Sequence, residues 1–332
     1  MPELTRRTLL AGTAATGAFA ASGLSAQTDM VGTEPDLSGK SILITGCSSG
    51  FGRLGAEYYA RRGAKVFATM RNTPRPEAEE LRKLASEENL DITVIRLDVL
   101  LQDEIDAAME TVSNALRGGA LDVLVNNAGI GITGPSEVQD MEATSLMFDT
   151  NVFGPHRMAR AVLPAMRAAG GGQIFQISSQ LGRVIVPHSG HYSATKFALE
   201  AMGEQLAYEL VPHNIDVTII EPGGYPTEVW VNRNIYSEAL QQRAADIHKA
   251  GYPDVVARMG EEDGSGRSAD PMDVPRAIAK IIAMPAGTRP LRQPVSGGAI
   301  PQTEINRVAA ETQVGWLGGS GYGPWIKAVH GR

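Results

Sequence analysis

Ser41-Ile42-Leu43-Ile44-Thr45-Gly46-Cys47-Ser48-Ser49-Gly50-Phe51-Gly52 is the stretch on which the fold of this chain turns. Its start is a short apolar run rich in isoleucine, the pattern of a buried strand. The run breaks at Gly46, and residues from about 50 to 62 then read as a helix closed by Gly63. A glycine-rich turn between strand and helix lets the backbone bend sharply and approach a pyrophosphate closely. The free N–H groups and dipole at the helix start attract that charge. Such a turn is a weak signal alone and a stronger one between a first strand and a helix. Cys47, inside the turn, reads as a small space-filler.

Outward from this turn the same rhythm repeats. Short apolar runs at 64–69, 91–97, 121–126, 173–178 and 215–220 alternate with helical stretches, among them 142–169 and 191–211. Strands alternating with helices imply βαβ units and a parallel sheet covered on both faces. Right-handed crossovers make that a doubly wound α/β fold in a single domain. After Pro222-Gly223 the rhythm stops: 224–268 reads as loop and short helix, a helix resumes from Pro271 to about Met284, and the tail is rich in Gly and Pro. No linker separates a second domain.

Composition sets outer bounds. The 332 residues are 43% hydrophobic and 20% charged, with a net charge of −7 and one cysteine. An acidic chain without a basic run does not suit a nucleic-acid partner. One thiol makes neither an internal disulfide nor a cysteine-rich metal site, and no histidine spacing suggests a metal. The N-terminus differs in kind. Arg6-Arg7 precedes an uncharged, Gly/Ala/Thr-rich stretch ending at Leu24-Ser25-Ala26. Residues 9–24 are too few and too weakly apolar to make a stable membrane span. A basic start, an apolar stretch and a small-residue exit read as an export signal. The paired arginines resemble a twin-arginine signal and imply a periplasmic protein. On that reading 1–26 is the signal, 27–37 a linker and 38–332 the folded domain; without it the protein is cytoplasmic.

The chemistry is carried by Tyr192-Ser193-Ala194-Thr195-Lys196. On a helix, positions i and i+4 share a face, so Lys196 stands beside Tyr192. A free tyrosine has a pKa near 10; a neighbouring ammonium and a cofactor cation favour the phenolate and are expected to lower it. Tyr192 then becomes a general acid/base. Ser179, upstream at the end of a strand, offers a hydroxyl to the substrate oxygen. Ser178 is the competing serine and belongs to the strand end. His188 and His191 flank the stretch without triad or metal spacing and read as substrate-loop packing.

Thr-Gly-x-x-x-Gly-x-Gly from Thr45, Asn126-Asn127-Ala128-Gly129, Ser179 with Tyr192-x-x-x-Lys196, and Pro222-Gly223 together resemble the short-chain dehydrogenase/reductase family over about 40–228. The resemblance implies a Rossmann-fold oxidoreductase that moves a hydride between a nicotinamide dinucleotide and an alcohol or ketone. It makes Ser179, Tyr192 and Lys196 catalytic, with Asn151 completing the set by holding a water for proton relay. It places Gly46, Ser48, Ser49, Gly50, Phe51 and Gly52 around the pyrophosphate. Asp98 and Val99 go to the adenine side. Asn126, Ala128, Gly129, Tyr192 and Lys196 lie along the nucleotide, and Pro222, Gly223 and Thr227 near the nicotinamide. It also implies a homo-oligomer through the helical faces at 142–169 and 191–211.

Cofactor choice turns on the end of the second strand. A carboxylate there binds the ribose hydroxyls of NAD and repels the extra phosphate of NADP. Here the position is Met70, followed by Arg71, whose guanidinium suits a phosphate; NADP is expected over NAD. Arg53 or Lys65 is the alternative reader.

The glycine turn, Val66–Arg71 and Tyr192–Glu200 look like the hydroxysteroid and retinol dehydrogenase branch and suggest a hydrophobic secondary alcohol. Tyr225, Val229, Trp230, Val231, Ile235 and Tyr236 could cover such a substrate; they equally suit a helix packed into the core or against another subunit. A non-catalytic NADP-binding sensor and an epimerase or lyase on the same fold remain as other readings.

Overall fold

The computed structural model describes residues 34–331. The export segment read over 1–26, and most of the linker, lie outside the described residues. Strands β1 (Ser41–Ile44), β2 (Lys65–Met70), β3 (Ile92–Arg96), β4 (Val123–Asn126), β5 (Gly172–Ile177), β6 (Ile215–Pro222) and β7 (Arg292–Val295) form one parallel sheet. Their order is β3-β2-β1-β4-β5-β6-β7. The strand order reverses between β1 and β4, and in such sheets ligands bind at the carboxyl ends flanking that point.

Side-chain alternation along the strands sends residues to two cores. Ile42 and Ile44 face one side with Ala56 and Tyr59 of α1 (Gly50–Arg61), Leu81 of α2 (Pro76–Glu87), and Val274, Ile278 and Ile282 of α10 (Asp273–Ala283). Leu43, whose backbone is in register with Phe67 and Leu124, faces the other. There it meets Ile105 and Val112 of α3 (Gln102–Ala115), Met158 and Val162 of α5 (Gly154–Ala169), and Leu210 of α6 (Tyr192–Leu210). Both faces of β1 and β4 are closed, which is why residues 42–44 and 123–125 are continuous apolar runs rather than alternating.

A third cluster lies beyond the carboxyl ends of the strands. Ile132, Met147 of α4 (Met141–Phe148), Leu240 of α7 (Val229–Arg243), and Val256 and Met259 in and after α9 (Pro253–Ala257) pack there, with α8 (Asp246–Lys249) between. It carries α7 alongside the crevice. Where a loop and a short helix were expected, α7 runs for fifteen residues.

The tail departs from its sequence reading. It holds β7, α11 (Gln302–Leu317) and α12 (Gly323–His330). β7 is four partly exposed residues including Pro294, paired among the described residues with β6 alone. Proline is tolerated at such an edge, where one donor is not needed by the ladder. Between α4 and α5 the helix loosens into a π-helical turn at Asp149–Phe153, which carries Asn151. Single π turns inside helices often mark functional positions.

Candidate active site

The crevice at the switch point is a cleft of about 450 Å³. One end is the glycine turn. Gly46 has φ +75°, a left-handed conformation that disfavours a side chain. A β-carbon on Gly52 would lie 2.4 Å from the Gly46 carbonyl oxygen, so glycine there lets α1 sit directly on the turn. Thr45 Oγ1 accepts hydrogen bonds from the N–H groups of Asn127 and Ala128, and Asn127 Nδ2 donates back to the carbonyls of Thr45 and Gly46. The two motifs thus brace each other. Gly46, Ser48, Ser49, Gly50 and Phe51 line the cleft; Gly52 is turned into the packing behind it.

Further along, the cleft is lined by Met70, Arg71, Asp98, Val99, Ala128, Gly129, Pro222, Gly223 and Thr227. Thr227 faces Gly50 across it, 3.7 Å from where a β-carbon would stand. Arg71 Nη2 donates to the Tyr236 hydroxyl on α7 at 2.7 Å. Asn126 is not at the surface of the cleft. It is buried, and its Nδ2 donates to Gln176 Oε1 and the Pro155 carbonyl, tying β4 to β5 and α5. Its neighbour Asn127, which the sequence reading did not single out, lines the cleft instead.

At the far end Tyr192 opens α6, with Ser179 in hydrogen-bonding reach. Ser179 Oγ also accepts from Leu181 N at 3.1 Å, which caps a short turn after β5. Lys196, one turn along, donates Nζ to the Ile177 carbonyl at 2.8 Å and stands 5.5 Å from the centre of the Tyr192 ring. Asn151 is fully buried. Its Nδ2 donates to the Ile130 carbonyl and Thr195 Oγ1, and its Oδ1 accepts from Ile130 N. A β-carbon on Gly129 would approach both Asn151 Oδ1 (3.3 Å) and Lys196 Nζ (3.7 Å). The glycine turn, the Tyr/Lys helix and the serine, scattered through the chain, therefore meet around one cleft. Residues 40–236 match the short chain dehydrogenase family.

This chain belongs to the short-chain dehydrogenase family. It is 39% identical over 276 residues to retinol dehydrogenase 8 of Homo sapiens, covering 81% of this chain and 85% of that one. It is 37% identical over 246 residues to 3-ketodihydrosphingosine reductase of Bacteroides thetaiotaomicron, covering 73% and 83%. It is 32% identical over 256 residues to the mitochondrial D-beta-hydroxybutyrate dehydrogenase of Rattus norvegicus, covering 74% of each. Among solved structures, a short-chain dehydrogenase from Streptomyces avermitilis shares 31% identity at a TM-score of 0.63, covering 84% of this chain and 96% of that one. Two more distant structures share the fold. One, from Burkholderia phymatum in complex with NAD, is 22% identical at a TM-score of 0.67, covering 85% and 96%. The other, a metagenomic oxidoreductase in complex with NADP, is 24% identical at 0.61, covering 80% and 100%.

The electrostatics of this dehydrogenase site correct one expectation. Burial raises the Tyr192 hydroxyl to about 12; the Ser179 hydroxyl and then Arg233 pull the other way without reversing it. Burial acts on Lys196 in the opposite sense, lowering it to about 8, while Glu200 one turn further along α6 opposes the fall. Desolvation disfavours each charged form, and here it outweighs the groups that oppose it. Cys47 is likewise raised to about 12 by burial, with its Sγ donating to the Ile44 carbonyl, as a space-filler would be.

The apolar set after Gly223 divides. Tyr225 is buried, edge-on to Phe51 at 5.4 Å. Val231 and Ile235 are exposed, and Val229, Trp230 and Tyr236 line the cleft. His191 Nδ1 bonds Thr144 Oγ1 at 2.8 Å, and the His188 ring lies 6.5 Å from Tyr252, so both are held in loop packing. Asn232 and Arg233 on α7 and Ile130, Ile132 and Leu181 also line the cleft without having been picked out in sequence. They carry no motif; only the docking of α7 brings the first two there.

Proposed function

We propose that this short-chain dehydrogenase interconverts an alcohol and a ketone using NADP(H), with Tyr192 as the acid/base. The observation that carries the reading is that Ser179, Tyr192 and Lys196 converge at one end of a cleft whose other end is the glycine turn on α1. The cleft suits a dinucleotide: the turn offers backbone N–H groups at a helix start, and Gly129 keeps the wall beside Lys196 free of a side chain. When bound, the nucleotide supplies or takes up the hydride. The substrate oxygen sits between the Ser179 and Tyr192 hydroxyls. In reduction Tyr192 Oη gives its proton to that oxygen while Ser179 donates to the charge developing on it; oxidation runs the same transfers backwards. Lys196, anchored on the Ile177 carbonyl, favours the phenolate that Tyr192 leaves behind. Asn151 braces Ile130 and Thr195 and keeps one Oδ1 lone pair for a relay water.

The end of β2 supports the NADP reading. It ends in Met70, with no carboxylate, and Arg71 lines the cleft. The other two candidates are engaged elsewhere: Arg53 with Glu57 (2.6 Å) and the Glu77 carbonyl, Lys65 with Asp91 (2.8 Å). The relatives bear names of three different substrates, a retinol, a ketodihydrosphingosine and a β-hydroxybutyrate. All three are alcohol or ketone chemistry, which supports the reaction class and leaves the substrate open.

The test is a scan of alcohols and ketones followed by absorbance of the reduced nicotinamide, with Tyr192→Phe as control. Turnover absent from both proteins across the panel ends the reading. Export by a twin-arginine route and a homo-oligomer are carried as further proposals. The second rests on Phe153 and Phe197, 48% and 39% exposed on α5's entry turn and α6. A monomer in sedimentation would remove it.

A further inference from the structure

Arg233 lines the substrate end of the cleft with Tyr192. Gly131 brings the two together: a β-carbon at that glycine would lie 3.2 Å from Arg233 Cδ and 3.7 Å from Tyr192 Cδ2. The arginine stem and the reacting ring thus flank one backbone position that has no side chain. The guanidinium is stacked, its Cζ 4.5 Å from the centre of the Trp230 ring. Trp230 is itself pinned. Its Nε1 donates to the Tyr225 carbonyl at 2.7 Å, and Arg267 Cζ lies 3.7 Å from the ring centre on its own account. A β-carbon on Gly264 would lie 2.4 Å from Trp230 Cδ1, so the ring fills the space that glycine leaves.

The carboxylates around this platform engage Arg267 rather than Arg233. Arg267 pairs with Glu262 at 2.8 Å. The Arg233 guanidinium makes no ion pair within 4.0 Å and no hydrogen bond among the described residues, and its Nε is buried without a hydrogen-bond partner. Glu262 and Asp263 both face Arg267, and only Glu262 is near enough to be felt by Arg233. A desolvated guanidinium donor with nothing to bind is costly, and structures rarely keep one without use. Stacking on a held tryptophan also fixes the guanidinium before anything binds, which lowers the cost of ordering it later.

We propose that Arg233 receives a carboxylate of the substrate, so that the compound oxidised or reduced is a hydroxy acid or keto acid. This deepens the oxidoreductase reading above and rests on it for the reaction. The planar donor fork of a guanidinium matches a carboxylate in shape and charge. Ile130, Ile132 and Leu181, at the same end of the cleft, pack the carbon chain between the two polar anchors. A neutral alcohol of the same length forfeits the arginine, and an amine in that place is repelled by it.

Sodium 3-hydroxybutanoate and sodium 3-hydroxyoctanoate, each beside its methyl ester, are titrated calorimetrically onto the full chain saturated with NADP+. The same four compounds are assayed for turnover. The acids are expected to bind and to react, in kcat/KM, about tenfold or more better than their esters, the range for a charge-assisted pair. Arg233→Gln removes that preference by raising KM for the acids about tenfold while KM for the esters stays within about threefold of wild type, a fall in kcat from its lost pull on Tyr192 being common to both; Arg233→Lys, which keeps the charge, recovers part of the preference. Three results overturn the proposal. The wild type does not prefer the acids. Arg233→Gln weakens acids and esters alike, which would make the residue a support for Tyr192. Or Arg233→Gln loses affinity for NADP+, which would make it a nucleotide contact. If the acids bind through Arg233 but no alcohol or ketone is turned over, the oxidoreductase reading fails while the carboxylate site stands.

Discussion

Arg292 on β7 donates to Glu200 on α6 at 2.8 Å, with both side chains buried. Glu200 lies one turn beyond Lys196, so the edge strand that closes the sheet reaches to within a helical turn of Tyr192's helix partner. The same guanidinium holds Glu204 at 2.6 Å and stands 3.7 Å from Glu221 Oε1. Glu204 in turn accepts from the Tyr208 hydroxyl, which contacts His330 of α12 at 2.6 Å. One cation therefore serves three carboxylates between the site and the C-terminal helix.

Removing that cation should be severe. Arg292→Met leaves buried carboxylates without compensation, and the expected loss is about 3–5 kcal/mol. The denaturant midpoint measures it. Arg307→Met, which breaks an exposed pair network on α11, should leave the midpoint where it was. Equal effects of the two would show that the buried network contributes nothing special.

Glu221 gives a pH signature. Burial, then the charge of Glu200, raises it to about 8, against the pull of Asn306, Arg292 and Arg183. Between the ordinary value of 4.5 and about 8 the native state holds a proton that the unfolded chain has released. Its contribution to stability is full below 4.5 and is lost as the pH rises through about 8. Wild-type Tm should therefore fall from pH 5 to pH 8 more steeply than that of Glu221→Gln. Parallel slopes would contradict this.

Tyr192→Phe should lower kcat by about 10²–10⁴-fold, the range for loss of a positioned acid/base. NADP affinity should stay within about threefold, because only the phenol oxygen is removed. Lys196→Ala should weaken both binding and turnover. Because Glu200 opposes the fall of Lys196, Glu200→Gln should move the alkaline limb of the rate profile, expected near 8, toward lower pH. A limb that stays put would separate Lys196 from the rate.

Met70→Asp with Arg71→Ala replaces a phosphate partner by a repulsive carboxylate. The ratio of kcat/KM for NADP to that for NAD should fall by about tenfold or more, a single lost charge-assisted contact or greater. An unchanged ratio would return attention to Arg75, which lines the same part of the cleft.

Export is tested by fractionation. With Arg6 and Arg7 intact the mature protein should be recovered from the envelope space carrying near-stoichiometric NADP(H), since a twin-arginine route passes folded proteins. Arg6→Lys with Arg7→Lys should hold the precursor in the cytoplasm. Wild-type protein that is already cytoplasmic would end the proposal.

Much of this was local and therefore readable from the chain. Six strands, the glycine turn and the helical partnership of Tyr192 with Lys196 depend on side-chain period, on glycine's backbone freedom and on a four-residue spacing, all of which are properties of neighbouring residues. The alternation of strands and helices then leaves few topologies open. What the chain did not disclose is non-local. Arg292–Val295 has no alternation and contains a proline, and it is a strand only because β6 presents an unpaired edge. Asn126 and Asn127 are identical in type, and only the pleat decides which one ties the sheet and which one meets the cleft. The direction of the Tyr192 and Lys196 shifts was set by burial, which no spacing reports. Arg233 belongs to no motif in the sequence. The unbonded Nε of its guanidinium, its seat on Trp230 and its place beside Tyr192 exist only once α7 is packed across the carboxyl ends of the sheet. Periodicity determined which segments would become helix and strand; the packing of distant segments determined which charges are left facing the cleft.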